Sequence, residues 1–318
     1  MIAMEPVELE HTACLLCGAD EGAPLVTTAA QMHPSREGYT FVRCRRCGLI
    51  YLDPRPSPRA LERYYDASYL PHRGATAWGR FAALAKEGER RTDVARVRWA
   101  MKVARLGPDD RVLDVGCGRP TFLEALIRAT GAQGTGIDPS DHGWAAEPER
   151  WRRAGLDLRT IGAGNGLPPG PFALITMWHA LEHDYTPLST LRRLREVALP
   201  GAALLLEVPN HDSLTRRLHG PSWAGYHTPR HSAVYTPATL RAMLERAGWT
   251  VEHQEISGTL DPYVLYWLGR QDRKGRALDG SLERSFPGFM AGKMLTLPLA
   301  MAQRRISLGV QLAVARKG

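Results

Sequence analysis

Short apolar runs alternate with amphipathic helical stretches from residue 111 onward, and this alternation constrains the fold more than any other feature of the chain. The runs that predict strands are RVLDVG, GTGID, LDLRTIG, FALITMW, AALLLEV, TVEHQEIS and GVQLAVARK. Helices are expected over TFLEALIRAT, a segment near 142–154, PLSTLRRLREVAL and PATLRAMLERAG. Such alternation predicts an α/β fold with a Rossmann-like, doubly wound sheet of seven strands flanked by helices.

Four of the five cysteines form two CxxCG knuckles near the N-terminus, CLLCG at Cys14 and Cys17 and CRRCG at Cys44 and Cys47. Four thiolates at this spacing can close a tetrahedral site around zinc, and a site filled by protein ligands is structural rather than catalytic. The alternative is four unrelated cysteines. Paired cysteines also favour a reducing compartment over a disulfide framework.

A proline cluster at Pro54, Pro56 and Pro58 separates the cysteine-rich segment from helical sequence, including LERYYDASYL and ERRTDVARVRWAMKVARL. The chain of 318 residues is long enough for one large α/β domain with a small appendage. We predict three regions: a small zinc-ribbon-like module over 1–56, a helical lead-in or lid over 57–110, and the α/β domain over 111–318, with an insertion at 259–306.

The first strand of the α/β domain runs directly into a glycine turn, VLDVGCG, at residues 112–118. Glycines there let a ligand approach the backbone, and the following helix presents free N–H groups. The next strand ends at Asp138, 20 residues after Gly118, a spacing at which a carboxylate can take ribose hydroxyls. Together these features predict an adenosine site, although the glycines alone would also fit an ordinary strand-to-helix turn.

These motifs resemble those of class I S-adenosylmethionine-dependent methyltransferases: VLDVGCG is similar to their first motif, and LPGAALLLEVPN to their fifth strand. The resemblance covers residues 111–257 and the final strand. It implies that the cofactor S-adenosylmethionine lies over Asp114, Gly116 and Gly118, with its ribose on Asp138. It implies three further cofactor contacts, from Cys117, Pro139 and Trp178.

Two positions depart from the family pattern. Pro120 stands where the motif commonly has its third glycine, and proline suits the first position of a helix because its missing N–H has no partner there. The stretch GAGNG has no carboxylate, so Asn165 or the backbone is expected to hold the adenine amino group.

The cysteine segment CRRCGLIYLDPRPS, followed by YYDASY, resembles the N-terminal region of zinc-bearing tailoring methyltransferases, including sugar C-methyltransferases of deoxysugar pathways. Those sugar enzymes usually carry a further C-terminal domain without a counterpart in this sequence. The resemblance therefore leaves the acceptor open.

Histidines follow two of the predicted strands. WHALEH supplies His179 and His183, and YHTPRH supplies His227 and His231. A neutral imidazole can take a proton from an acceptor hydroxyl, amine or acidic carbon during methyl transfer. We expect His183 and His227 to meet over one crevice, since the carboxyl ends of parallel strands share an edge. Alternatively these histidines orient loops, or Glu182 and His183 ligate a divalent cation for which the sequence shows no third ligand.

The composition limits which kinds of partner the protein is expected to bind. The net charge of +8 would favour phosphate-bearing ligands, but no block holds five consecutive like charges, which disfavours nucleic acid. The N-terminus lacks a basic stretch followed by an apolar region, so the cytoplasm is expected, and no apolar run reaches the roughly 18 residues of a spanning helix. The insertion 259–306 is expected to cover an apolar acceptor pocket, to form a dimer face, or to contact a membrane surface, in that order. The protein is expected to be a monomer or a homodimer.

The sequence therefore predicts an enzyme that transfers a methyl group to a small-molecule substrate, a natural-product intermediate or sugar, on oxygen, carbon or nitrogen. One alternative is a zinc-containing RNA methyltransferase in which Arg43, Arg45 and Arg46 grip phosphates. A second is a non-catalytic adenosine binder. A nicotinamide dehydrogenase shares the glycine and acid pattern but not the resemblance of MWHALEH to methyltransferases.

Overall fold

A seven-stranded sheet forms the centre of the computed structural model, which describes residues 7–66, 69–162 and 166–318. Its strands are β6 (Arg111–Val115), β7 (Gln133–Asp138), β8 (Leu156–Thr160), β9 (Phe172–Trp178), β10 (Ala198–Pro209), β12 (Trp249–Glu255) and β13 (Val310–Lys317). Their order across the sheet is β12-β13-β10-β9-β6-β7-β8. Neighbours from β8 to β10 pair parallel, whereas β13 runs antiparallel to both β10 and β12. The predicted α/β, Rossmann-like class is confirmed.

Helices cover both faces of this sheet. They are α3 (Ala82–Val103), α4 (Thr121–Thr130), α5 (Pro148–Arg153), α6 (Pro187–Val197) and α8 (Pro237–Arg246). Leu204 and Leu206 of β10 pack on the face that holds α6 and α8, and Leu205 packs on the opposite face with α3 and α4. Burial on both faces explains why the strands appear in the sequence as continuous apolar runs rather than alternating ones.

The helix expected near 142–154 is shorter than predicted. It begins at Pro148, and a turn precedes it in which the N–H groups of Trp144 and Ala145 donate to the Asp141 carbonyl. Gly143 packs against the first glycine turn so closely that a Cβ there would lie 2.1 Å from the carbonyl oxygen of Gly118. This contact holds the segment off a helical path.

The N-terminal segment contains a second sheet, with β2 (Gly22–Ala29), β3 (Gly38–Cys44) and β4 (Ile50–Leu52). Its fourth strand is β11 (Ala233–Val234), which comes from the loop after β10 and pairs with β4. A two-stranded ribbon joins β1 (Leu9–Glu10) to β5 (Arg55–Pro56). The cysteine-rich segment is therefore bonded directly to a loop at the edge of the main sheet.

Short helices complete the chain: α1 (Pro58–Leu61), α2 (Leu70–Arg73), α7 (Leu214–His219), α9 (Pro262–Arg273), α10 (Phe286–Leu295) and α11 (Leu297–Met301). Single 3-10 turns include Leu181–His183, which contacts β10 and β11, and Ala224–Tyr226, which contacts α9. Along α10 and α11 apolar side chains face outward, among them Leu295, which is 83% exposed. No helix within the described residues is both long enough and apolar enough to cross a bilayer.

Candidate functional site

The two cysteine knuckles have the same backbone geometry. In each, the first cysteine accepts a hydrogen bond from the glycine N–H four residues later, Gly18 to Cys14 at 2.8 Å and Gly48 to Cys44 at 2.9 Å. Both glycines have positive φ, 74° and 77°, a conformation that favours glycine. The sequence pattern CxxCG thus fixes two matching turns.

The four sulfurs converge. Sγ of Cys14 lies 3.4 Å from Sγ of Cys47, and Sγ of Cys17 lies 3.6 Å from Sγ of Cys44. All four lie within 4.8 Å of one another. Zinc–sulfur bonds of about 2.3 Å in a tetrahedron place sulfurs roughly 3.8 Å apart. The four cysteines that the sequence singled out therefore fit a tetrahedral metal.

The glycine turn after β6 packs tightly on its neighbours. Gly116 and Gly118 have φ of 72° and 47°, and a Cβ at Gly116 would lie 2.6 Å from Cβ of Ala180. Asp138, at the end of β7, accepts hydrogen bonds of 3.0 Å from the N–H groups of Gly118 and Ser140. Burial raises the pKa of Asp138. The predicted glycine turn and its acidic partner therefore form one unit.

Pro120 lies one position earlier than predicted. It is the N-cap of α4, with ψ of 37°, and the helix starts at Thr121. The Pro120 carbonyl still accepts the first helical bond, from the N–H of Glu124 at 2.9 Å. A proline at the cap loses no helical hydrogen bond, because the N–H of a cap residue has no intrahelical partner.

The remaining cofactor candidates among the described residues lie at the same sheet edge. Asp114 is buried and accepts a 2.6 Å hydrogen bond from Thr176 Oγ1, and burial raises its pKa to about 7. Cys117 is buried in the turn, Pro139 is exposed after β7, and Trp178 ends β9 with its ring edge against Phe122. Asn165 lies outside the described residues.

His179 lies between two carboxylates that are fully buried. Its Nε2 is 2.9 Å from Glu207 Oε1, and its Nδ1 is 3.4 Å from Glu182 Oε1. Burial alone would lower the pKa of His179, but the two carboxylates raise it to about 9. Contact with His179 outweighs burial and holds the pKa of Glu207 at about 2. His179 is therefore a cation near neutral pH.

His183, His227 and His231 form a compact cluster. The ring centroids of His183 and His231 are 4.5 Å apart, those of His227 and His231 are 5.0 Å apart, and those of His183 and His227 are 5.9 Å apart. Burial lowers the pKa of all three. The structure thus brings together the loops after β9 and β10, and their imidazoles are neutral near neutral pH.

The segment 57–110 contains three tyrosines, Tyr64, Tyr65 and Tyr69. Two of them contact this cluster. Tyr65 Oη lies 3.1 Å from Nδ1 of His183, and Tyr69 Oη lies 2.6 Å from Nε2 of His227. Burial raises the pKa of Tyr69 to about 12, so its hydroxyl remains protonated. Tyr64 instead points away and bonds to Tyr39 and Glu37.

Sequence reasoning missed Arg230, which is fully buried under the cluster. Its guanidinium donates to the carbonyls of Tyr64, Gln31 and Met32 and lies 4.3 Å from the Tyr69 ring centroid. It thereby fixes the tyrosine segment against the N-terminal segment. Arg230 stands between two histidines of a polar loop, and nothing local in the sequence predicts its burial.

The chain matches one family in a comparison with protein-family models. The model described as "Methyltransferase domain" matches residues 89–254, more than half of the 318 residues. The protein belongs to this methyltransferase family. It is an S-adenosylmethionine-dependent methyltransferase, and the glycine turn, Asp138 and the histidine cluster all lie inside the matched range.

Curated relatives of this methyltransferase are named ubiquinone biosynthesis O-methyltransferase. The protein from Nitrosospira multiformis is 30% identical over 187 residues, which is 55% of this chain and 77% of that protein. The protein from Pseudomonas aeruginosa is 32% identical over 121 residues, which is 37% of this chain and 51% of that protein.

Solved structures confirm the methyltransferase fold. Phosphoethanolamine N-methyltransferase 2 of Haemonchus contortus aligns with a TM-score of 0.54 at 15% identity, over 84% of this chain and 62% of that chain. A putative sarcosine dimethylglycine methyltransferase from Galdieria sulphuraria aligns with a TM-score of 0.51 at 16% identity, over 74% of this chain and 88% of that chain.

Proposed function

We propose that this methyltransferase methylates a hydroxyl group of a small molecule, such as a natural-product intermediate or a sugar, with a histidine as the base. The observation that carries the proposal is the meeting of His183 and His227, whose rings lie 5.9 Å apart and are neutral. A neutral imidazole near the acceptor can take its proton. The names of the curated relatives support an oxygen acceptor.

For the cofactor we propose the glycine turn and the residues around it. Asp114, Gly116 and Gly118 would lie under its methionine part, with Asp138 on the ribose. The contacts proposed for Cys117, Pro139 and Trp178 rest on the family resemblance alone. Asn165 is proposed for the adenine amino group because the GAGNG stretch has no carboxylate. The methyl group that S-adenosylmethionine supplies is transferred by in-line displacement: a bond forms from the acceptor oxygen to the methyl carbon as the carbon–sulfur bond breaks.

The acceptor proton then passes to a histidine. Nε2 of His227 contacts the Tyr69 hydroxyl at 2.6 Å, and in the tautomer that donates from Nε2, Nδ1 is the basic nitrogen. The tyrosine contact orients the ring, much as a carboxylate orients the histidine in a catalytic triad. Burial of the His227 ring excludes water that would otherwise compete for the proton. We assign His179 to electrostatic support, because the two carboxylates keep it protonated.

For the N-terminal module we propose one structural zinc on Cys14, Cys17, Cys44 and Cys47. The module would then hold the loop that carries His227 and His231 in place. The contact that does this is the pairing of β11 with β4, in which Ala233 lies opposite Tyr51. The division into 1–56, 57–110 and 111–318, and the role of the insertion 259–306 as a cover for the acceptor, remain predictions of the same proposal.

The experiment is to incubate the protein with S-adenosylmethionine carrying a radiolabelled methyl group and an extract of the organism that makes the protein. The extract is then separated into small molecules, RNA and protein. We expect label among the small molecules, in a product whose methyl group is bound to oxygen. Label in the RNA would instead support the zinc-containing RNA methyltransferase, with the exposed Arg43, Arg45 and Arg46 on phosphates. A chain that binds the cofactor but labels no fraction would be a binder without transfer.

A further inference from the structure

Glu182, His183 and His231 present a set of ligand atoms outside the cysteine module. One carboxylate oxygen and one nitrogen from each ring all lie within 4.8 Å of one another. Two of these residues are neighbours in the 3-10 turn after β9, and the third comes from the loop before β11. The N–H of Ser232 donates to the Glu182 carbonyl over 2.8 Å, which brings that loop to the turn.

The carboxylate of Glu182 has no hydrogen bond to any described residue. Its side chain is 0% exposed, and both oxygens lack a hydrogen-bond partner. A carboxyl group buried without hydrogen-bond partners is costly unless a cation or donors compensate it. The unpartnered oxygens therefore point to a missing electrophile.

The surrounding charges compensate Glu182 only in part. The nearest ion-pair partner of Glu182 is His179, at 3.4 Å. The same imidazolium lies closer to Glu207, at 2.9 Å. Glu207 also accepts hydrogen bonds from Thr259 and Leu260. One imidazolium cannot neutralise two buried carboxylates. Another nearby cation, Arg230, donates its hydrogen bonds to backbone carbonyls instead.

His231 is already oriented as a metal ligand. Its Nδ1 lies 2.9 Å from the carbonyl oxygen of Gly225, a contact that a neutral ring makes with Nδ1 protonated. Nε2 then carries the lone pair, and it faces Glu182 Oε1 at 4.0 Å. Metal-ligating histidines typically donate their other N–H to a backbone carbonyl in this manner.

We propose that Glu182, His183 and His231 bind a divalent transition-metal cation, as a second metal site distinct from the four cysteines. Two imidazoles and one carboxylate suit Mn²⁺, Fe²⁺ or Co²⁺ and leave coordination positions open. The partly exposed His183 gives the ion a path from solvent. The sequence offered Glu182 and His183 as a pair without a third ligand, and the structure adds His231.

The function of this ion deepens the proposed function and rests on it. An acceptor hydroxyl that coordinates the ion becomes more acidic. With His183 used as a ligand, His227 takes the hydroxyl proton while the oxygen forms its bond to the methyl carbon and the electron pair of the carbon–sulfur bond passes to sulfur. Binding of the ion depends on Glu182, His183 and His231 and not on the identity of the methyl acceptor.

The test is a Co²⁺ titration of zinc-loaded protein, followed by calorimetry and visible absorption. The protein is loaded with one equivalent of zinc per chain, which stays on the cysteines because thiolates select zinc, so Co²⁺ reports on the second site. We expect about one Co²⁺ per chain with a spectrum of nitrogen and oxygen ligands. Glu182→Gln and His231→Ala should each weaken binding at least about tenfold. His253→Ala, at a histidine that is 46% exposed in its side chain, is the matched control and should bind normally.

Thermal unfolding first confirms that each variant is folded. Anomalous scattering at the cobalt edge, from crystals of the unaltered protein, locates the ion without any variant. No uptake of Co²⁺ by the zinc-loaded protein, cobalt located elsewhere, or unchanged affinity in folded Glu182→Gln would overturn the proposal. Methyl transfer without Co²⁺ uptake would overturn this site alone, whereas Co²⁺ uptake without transfer to a small molecule would overturn the proposed function alone.

Discussion

The backbone N–H of Gly118 donates a 3.0 Å hydrogen bond to Oδ2 of Asp138, across 20 residues of sequence. The N–H of Ser140 donates to Oδ1 at the same distance. Each carboxylate oxygen is therefore held by a backbone donor, one from the glycine turn and one from the end of β7. This arrangement orients the carboxylate at the sheet edge where we propose that the cofactor binds.

Replacement of Asp138 by alanine should weaken binding of S-adenosylmethionine. The variant loses a charge-assisted contact to the ribose, which contributes on the order of 2 kcal/mol, or about 30-fold in affinity. Isothermal titration measures the effect. Asp157→Ala on the adjacent strand β8, where the carboxylate pairs with Arg159 at the surface, should bind normally. Equal affinity in the Asp138 variant would show that other groups hold the ribose.

Metal analysis of protein prepared without chelator should find about one zinc per chain, because four thiolates complete a tetrahedral shell. Cys44→Ser should lose the zinc and destabilise the N-terminal segment, which proteolysis and thermal unfolding detect. Cys117→Ala is the control, since this cysteine lies in the glycine turn and should leave the zinc content unchanged. Wild-type protein that contains no zinc would contradict the proposed zinc site.

Alanine at His227 or His183 should lower turnover by roughly 100-fold or more, the scale of losing a general base, with nearly unchanged cofactor affinity. Single-turnover kinetics with an identified acceptor gives the rate, and titration gives the affinity. His253→Ala is again the control. Near-normal turnover in both variants would exclude these histidines as the base and would favour a neutral-amine acceptor.

Replacement of His179 by glutamine should destabilise the fold by about 3–5 kcal/mol, because it leaves the buried Glu207 without its cation. Urea unfolding measures the change. Combining it with Glu207→Gln should recover part of the loss, since the second change removes the unpaired charge. A single variant as stable as wild type would mean that the ion pair contributes no net stability.

The protein should lose stability on acidification in part through His219. Burial, together with the charge of Arg273, lowers the pKa of this histidine to about 4 from 6.5. Between these two values the unfolded chain binds more protons than the folded one, so stability falls as pH falls from about 6.5 towards 4. His219→Gln should flatten this part of the stability profile, measured by urea unfolding at several pH values. An unchanged slope would show that folding does not lower the pKa of His219.

The sequence by itself determined the main sheet, the helices beside it and the two knuckles. These features depend on local patterns: the apolar runs of β6 and β9, the positive φ that glycine allows at Gly116 and Gly118, and the spacing of the cysteines. Each of these patterns is complete within a few consecutive residues, so it can be recognised before the fold is known. Helix ends were less certain, as Pro148 and Pro120 show.

Tertiary structure alone decided how distant residues combine. It pairs β11 with β4, places Glu207 of β10 on His179, buries Arg230, and carries His231 to the carboxylate of Glu182. None of these contacts has a local sequence signal, because each depends on where two loops from different strands end in space. The histidines and Glu182 were singled out from the sequence, whereas Glu207 and Arg230 were not. The charges and partners of all these residues follow from burial, which only the packed fold sets.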